Sequence, residues 1–160
     1  MPINYLLGDA TEPQSDHPFA IIHINNNLGA WGGGFVLAVS EKWIEPEVEY
    51  RRAIQKQEIE LGDIQIVPIE DFAVVVNMVA QDGFPTDKRP CAVDYEALAE
   101  CLRKIAKRLP PQYSINLPRI GTGIGGGDWN VIEEILNNEL ADYEINVYDM
   151  PGTKFAPIVE

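Results

Sequence analysis

Apolar positions along the chain fall into two interleaved periodicities. Short runs of strand character occupy residues 3–7, 19–24, 64–69, 73–80, 114–117 and 145–148. The run 73–80, AVVVNMVA, is β-branched and apolar at almost every position. That is the pattern of a strand covered on both faces. Pro68 removes a ladder donor from the run before it, which puts that strand at an end or edge of the sheet. Helical spacing fills the gaps. Tyr95, Leu98, Leu102, Ile105, Ala106 and Leu109 recur every three or four residues until Pro110-Pro111 stops them. Val131, Ile132, Ile135, Leu136 and Leu140 repeat the pattern after Asp128, a residue type that caps helix N-termini. Residues 34–42 and 46–57 read as two further helices, and 151–160 as a surface loop. Helices between short buried strands predict one α/β domain over residues 1–160, with three layers (α/β/α) and a mixed, roughly six-stranded sheet.

Composition narrows the partners. A chain of 160 residues is about one domain's worth, and 46% hydrophobic residues supply its core. Twenty-five acidic residues against 12 basic ones give a net charge of −13. Proteins that grip polymeric nucleic acid or an anionic membrane need the opposite sign, so neither partner is expected; a soluble monomer is. Two cysteines, Cys91 and Cys101, and two histidines, His17 and His23, suggest no disulfide framework and no metal site, and no cofactor is expected. The first residues, MPINY, do not read as a signal peptide. No apolar run approaches the roughly 20 residues of a membrane span. A cytoplasmic location is the expectation.

The 13 glycines are unevenly placed. GAWGGG (29–34) follows the second apolar run and leads into a helical segment; GTGIGGGD (121–128) follows the fifth and does the same. Glycine lets backbone N–H groups converge on a ligand with no Cβ in the way, and a helix start adds unpaired donors. One such loop is a weak signal. Two at one end of a sheet can hold two linked phosphates without a lysine.

With GDAT (8–11), HINNN (23–27), LPRIGTGI (117–124), GGGDW (125–129) and VYD (147–149), the chain resembles a macrodomain, the ADP-ribose-binding fold. PRIGTG joined to GGxxW is similar to the branch containing terminal ADP-ribose protein glycohydrolases and ADP-ribose 1″-phosphate phosphatases. The resemblance implies a hydrolase acting on an ADP-ribose derivative at the distal ribose, with a non-catalytic ADP-ribose reader as the alternative. It implies Asp9 and Ala10 at the adenine end, with Tyr148 and Met150 against the adenine face. Asn25 and Asn27 would face the distal ribose, and Trp31 or Phe35 would cover it. Gly32, Gly33, Gly34, Gly121, Thr122, Gly123, Ile124, Gly125, Gly126 and Gly127 would cradle the pyrophosphate. Asp128 and His23 are the catalytic candidates, since a carboxylate and an imidazole can both move protons. Their structural alternatives are a helix cap and a core histidine. Gln81 and Asp82 lie near the same rim and could position a water. The branch's glycohydrolases use a lysine near the fourth strand and an aspartate in the second glycine loop. Here residues 74–81 hold no lysine and Gly125 matches the aspartate. That argues against a lysyl adduct and leaves attack by water, at C1″ or at a terminal phosphate.

Overall fold

A computed structural model describes residues 2–152. Its elements run β1 (Asn4–Leu7), β2 (Phe19–Asn26), α1 (Phe35–Lys42), α2 (Glu45–Gln55), β3 (Ile64–Glu70), β4 (Ala73–Gln81), α3 (Tyr95–Arg108), β5 (Ser114–Leu117), α4 (Trp129–Glu139) and β6 (Ile145–Asp149). The six strands form one sheet in the order β1-β6-β5-β2-β4-β3. Every neighbouring pair is parallel except β3 with β4. The mixed sheet expected from the sequence is therefore present, and Pro68 sits in the edge strand β3 as anticipated. The tail expected as a surface loop lies outside the described residues from 153 onward.

Side-chain alternation divides the core. One face of β2 and β4 offers Phe19, Ile21, Ala73 and Val75 to Val36 and Val39 of α1 and to Tyr50 of α2. The other face offers Ala20, Ile22, Val74, Val76 and Met78 to α3 and α4. With helices on both sides, all nine residues of β4 are buried. That is why its sequence runs apolar rather than alternating. In α3 the buried stripe Ala97, Leu98, Cys101, Leu102 and Ile105 follows the helical repeat. The Asp94 side chain accepts from the Ala97 N–H at 3.0 Å to cap the first turn.

This layering creates the crevice. Strands β2 and β5 are parallel neighbours. The chain leaves β2 for α1 on one face and leaves β5 for α4 on the other. Two loops that depart to opposite faces from adjacent strand ends cannot close over the sheet between them. Both glycine segments form those loops.

The exit from β2 is tied down by Asn26. Its Oδ1 accepts from the N–H of Leu28 at 2.9 Å and of Ala30 at 3.2 Å, and its Nδ2 donates to the Ala30 carbonyl at 2.9 Å. The Tyr50 hydroxyl accepts from Gly29 N–H at 3.1 Å and donates to the Asn26 carbonyl. Burial pushes the Tyr50 pKa up to about 12, so the phenol stays a donor. Tyr50→Phe keeps the ring but strips a partner from the buried Asn26 carbonyl and from the half-buried Gly29 N–H. It should lower stability by about 1–3 kcal/mol, read as a drop in thermal midpoint.

Candidate functional site

The crevice holds two adjoining cavities of about 310 and 280 Å³. Asn25 and Gln81 line the first, beneath Phe84 and beside Gly32 and Gly33. Gly34, Phe35, Arg119 and the stretch Gly121–Gly125 line the second. Ile24, Gly33, Val36 and Ile124 belong to both, so the two form one cleft. Ile124 reaches across it. Its Cδ1 lies 3.0 Å from where a Cβ on Gly33 would stand, so a side chain there would have to displace it.

Backbone donors dominate the walls. Gly34 caps α1 at φ 81° and ψ −151°, a conformation suited to glycine, and leaves the first turn of the helix open to the cleft. No acidic side chain occupies that turn. Among the described residues, the N–H groups of Gly32, Gly33, Gly34, Thr122, Gly123 and Ile124 donate to no protein acceptor. Converging free donors and a helix start suit an anion with several oxygens.

Asn25 adds a polar floor. It is 2% exposed, and neither its Oδ1 nor its Nδ2 has a hydrogen-bond partner among the described residues. A buried amide with both ends unpaired is rare, because desolvation of each end goes uncompensated. Asn25 stands at the wall of the first cavity.

The remaining candidates divide, with His23 and Phe35 at the wall of the second cavity and Trp31, Asp128 and Asn27 outside both. His23 is 1% exposed, packed edge-on against Trp31 at 5.4 Å and Phe35 at 6.0 Å. Its Nε2 lies 2.6 Å from Asn77 Oδ1, and Asn77 Nδ2 donates to the Pro46 carbonyl, so Nε2 carries the proton. Burial, opposed by that hydrogen bond, lowers the His23 pKa to about 4. The imidazole is buried and neutral at the wall of the second cavity, with Nδ1 unpaired among the described residues. Trp31 is buried as well and donates to Ser40 Oγ at 2.6 Å. Phe35 alone of that aromatic pair meets the cleft. Asp128 is exposed and caps α4, its Oδ1 accepting from Asn130 N–H at 2.9 Å; it lines neither cavity. Asn27 donates to Asp82 at 3.1 Å and accepts from Gly83 N–H at 2.9 Å, pinning the loop after β4 instead of facing the cleft.

The second glycine loop also divides. Gly126 and Gly127 turn their N–H groups back onto the carbonyls of Gly123 and Gly121. At Gly126, with φ +72°, a Cβ would meet the Pro90 carbonyl at 2.2 Å. These two glycines buttress the loop and are not among the cleft-lining residues. At the far end of the crevice, β1 and β6 bring Asp9 and Met150 to the same sheet edge, through the pair Leu7 and Asp149. Asp9 Oδ1 is held by Thr11 N–H at 2.8 Å and Thr11 Oγ1 at 2.7 Å. Met150 is exposed, whereas Ala10 is buried. Tyr148 is buried too, donating to Asn116 Oδ1 at 3.0 Å and accepting from Gln14 N–H at 2.9 Å, so it offers no face for stacking.

Arg119, Asn26 and Phe84 join the cleft without having been singled out. Arg119 grips Asp149 through two bonds of 2.8 and 3.0 Å and stacks between Tyr5 and Trp129. It thereby ties the second glycine loop to β6. Its partner lies 30 residues away, a pairing no local pattern displays. Among the described residues no cluster of three or more His, Cys, Asp or Glu could hold a metal ion, and no helix is long and apolar enough to cross a membrane.

A mixed sheet with two glycine-rich loops of unpaired N–H groups at its switch point defines the class of fold as α/β. No protein-family model matches the chain. It is 37% identical to a macrodomain protein from Streptomyces coelicolor, covering 92% of this chain and 98% of that one, with a TM-score of 0.80. The chain belongs to the macrodomain family. It is also 34% identical over 149 residues to Chromodomain-helicase-DNA-binding protein 1-like of Danio rerio, covering 87% of this chain but 14% of that protein. Identity to the ADP-ribose 1″-phosphate phosphatase of Lodderomyces elongisporus is 25%, over 92% of this chain and 98% of that one.

Two measurements check these placements. Asp128→Ala should lower the melting temperature by the equivalent of about 1 kcal/mol, the ordinary loss of a helix cap. His23 has a folded pKa below the free value of 6.5, so the unfolded chain binds the proton first. Stability from the neutral ring is full above about pH 6.5 and is lost as the pH falls toward 4. Between pH 7.5 and 4.5 this should remove roughly 2–3 kcal/mol in denaturant unfolding, and His23→Gln should flatten that slope.

Proposed function

We propose that the protein binds ADP-ribose along the cleft and hydrolyses an ADP-ribose derivative at the distal ribose. The observation that carries the reading is Asn25, a buried amide with both ends unpaired beside two loops of free N–H donors. Neutral amides suit sugar hydroxyls, and backbone donors suit a pyrophosphate. In this reading the distal ribose sits on Asn25 in the first cavity and the pyrophosphate between Gly32–Gly34 and Thr122–Ile124. Adenine extends toward Asp9 and Met150. The relative named as an ADP-ribose 1″-phosphate phosphatase supports a hydrolase. Among the described residues, no carboxylate lines either cavity. The proton of an attacking water is therefore assigned to a substrate phosphate oxygen, with Asn25 and Gln81 orienting the water.

That same lack of a carboxylate favours a second reading, a reader that binds ADP-ribose without turnover. Incubation with a glutamyl-ADP-ribosylated peptide and, separately, with ADP-ribose 1″-phosphate separates the two, since a reader releases neither product. Asn25→Ala should weaken ADP-ribose by at least about tenfold in calorimetry. The unliganded variant should melt no lower than wild type, because the amide has no partner among the described residues to lose and its desolvation cost is removed. A stability loss with unchanged affinity would make Asn25 structural.

A further inference from the structure

The cavity that holds Asn25 and Gln81 has one large side chain at its rim that does not belong to the glycine loops. Phe84 lines it while remaining 43% exposed. Its loop is fixed at the base. Gly83 N–H donates to Asn27 Oδ1 at 2.9 Å, Gln81 Nε2 donates to the Gly83 carbonyl at 2.8 Å, and Asp82 N–H donates to the Ala92 carbonyl at 2.8 Å. The phenyl ring is therefore presented from a pinned turn. Among the described residues, no charged side chain lines this cavity. The charges nearest in the loop cancel: Arg89 Nη1 pairs with Asp82 Oδ2 at 3.3 Å, and Arg89 Nη2 donates to the Asp82 carbonyl.

Accepting that ADP-ribose lies in the cleft with its distal ribose on Asn25, we propose that Phe84 selects the group borne by that ribose, favouring an uncharged acceptor over a terminal phosphate. A phosphate monoester carries close to two negative charges near neutrality. Under Phe84 it would lose water against a phenyl ring and Ile124, with no lining cation to offset it, in a protein of net charge −13. An amide- or ester-linked peptide brings no such charge. It can bury the ring, which is 43% exposed at that rim.

The test is a comparison of Kd values by calorimetry for ADP-ribose, ADP-ribose 1″-phosphate, and an ADP-ribosyl peptide joined through a hydrolysis-resistant, uncharged amide. Wild type should bind the conjugate about tenfold more tightly than the 1″-phosphate. Phe84→Ala should bring that ratio to within about threefold, and Phe84→Lys should reverse the order by supplying the missing cation. Thermal melts of both variants establish that each is folded. Equal affinities in wild type, a preference for the phosphate, or a ratio indifferent to Phe84 would overturn the selectivity while leaving ADP-ribose binding intact. Absence of ADP-ribose binding by wild type would instead remove the underlying reading, and this one with it.

Discussion

Parallel pairing of β2 with β5 is the constraint on which the rest of the molecule turns. It aligns Phe19 with Ser114, Ala20 with Ile115 and Ile21 with Asn116, so both strands end at the same side of the sheet. Because the following helices pack on opposite faces, the strand ends cannot be covered by their own connections. An antiparallel arrangement would send the two glycine loops to opposite ends. Neither loop could then form more than half a site.

The loops solve different problems within that frame. The first anchors Gly29 and Ala30 through their N–H groups, leaves those of Gly32, Gly33 and Gly34 without acceptors among the described residues, and opens directly into α1. The second spends part of its length on itself, Gly126 and Gly127 bonding backward and Ala92 N–H reaching the Gly125 carbonyl. Glycine content alone therefore overstates the number of donors. A cradle of backbone dipoles also explains how a chain of net charge −13 can be suited to a phosphate-bearing ligand. Fixed N–H groups act at hydrogen-bond distance, whereas a diffuse acidic field falls off within a Debye length of about 8–10 Å. The acidity opposes long polyanions far more than one enclosed pyrophosphate.

Elements were legible in the sequence because local periodicity determines them; the helix and strand positions shift by only a residue or two at their ends. Side-chain roles were less legible because they depend on partners distant in the chain. The three asparagines after Ile24 illustrate this. A register shift between Asn25 and Asn26 separates them: Asn25 meets the cleft, Asn26 binds its own loop and Tyr50, and Asn27 reaches the loop after β4. Nothing in the string NNN distinguishes them. The proton of His23 is fixed by Asn77, 54 residues on, and its ring packs against Trp31, neither of which a local pattern displays. Asp128, whose cap role depends only on its neighbours, was readable from residue type alone.

Asn25 links stability to the ligand. Left unpaired in a buried position, each end of its amide carries a desolvation penalty of about 1–3 kcal/mol. A hydrophobic residue of similar volume would avoid that penalty without disturbing any protein hydrogen bond. The penalty disappears when a ligand supplies both a donor and an acceptor. A sugar hydroxyl is both at once. In the proposed complex, the ligand removes an unfavourable contact that the free protein carries, and the difference enters into affinity. Such a site discriminates against an analogue lacking the hydroxyl more strongly than an apolar pocket of equal size, since the analogue leaves the amide buried and unsatisfied.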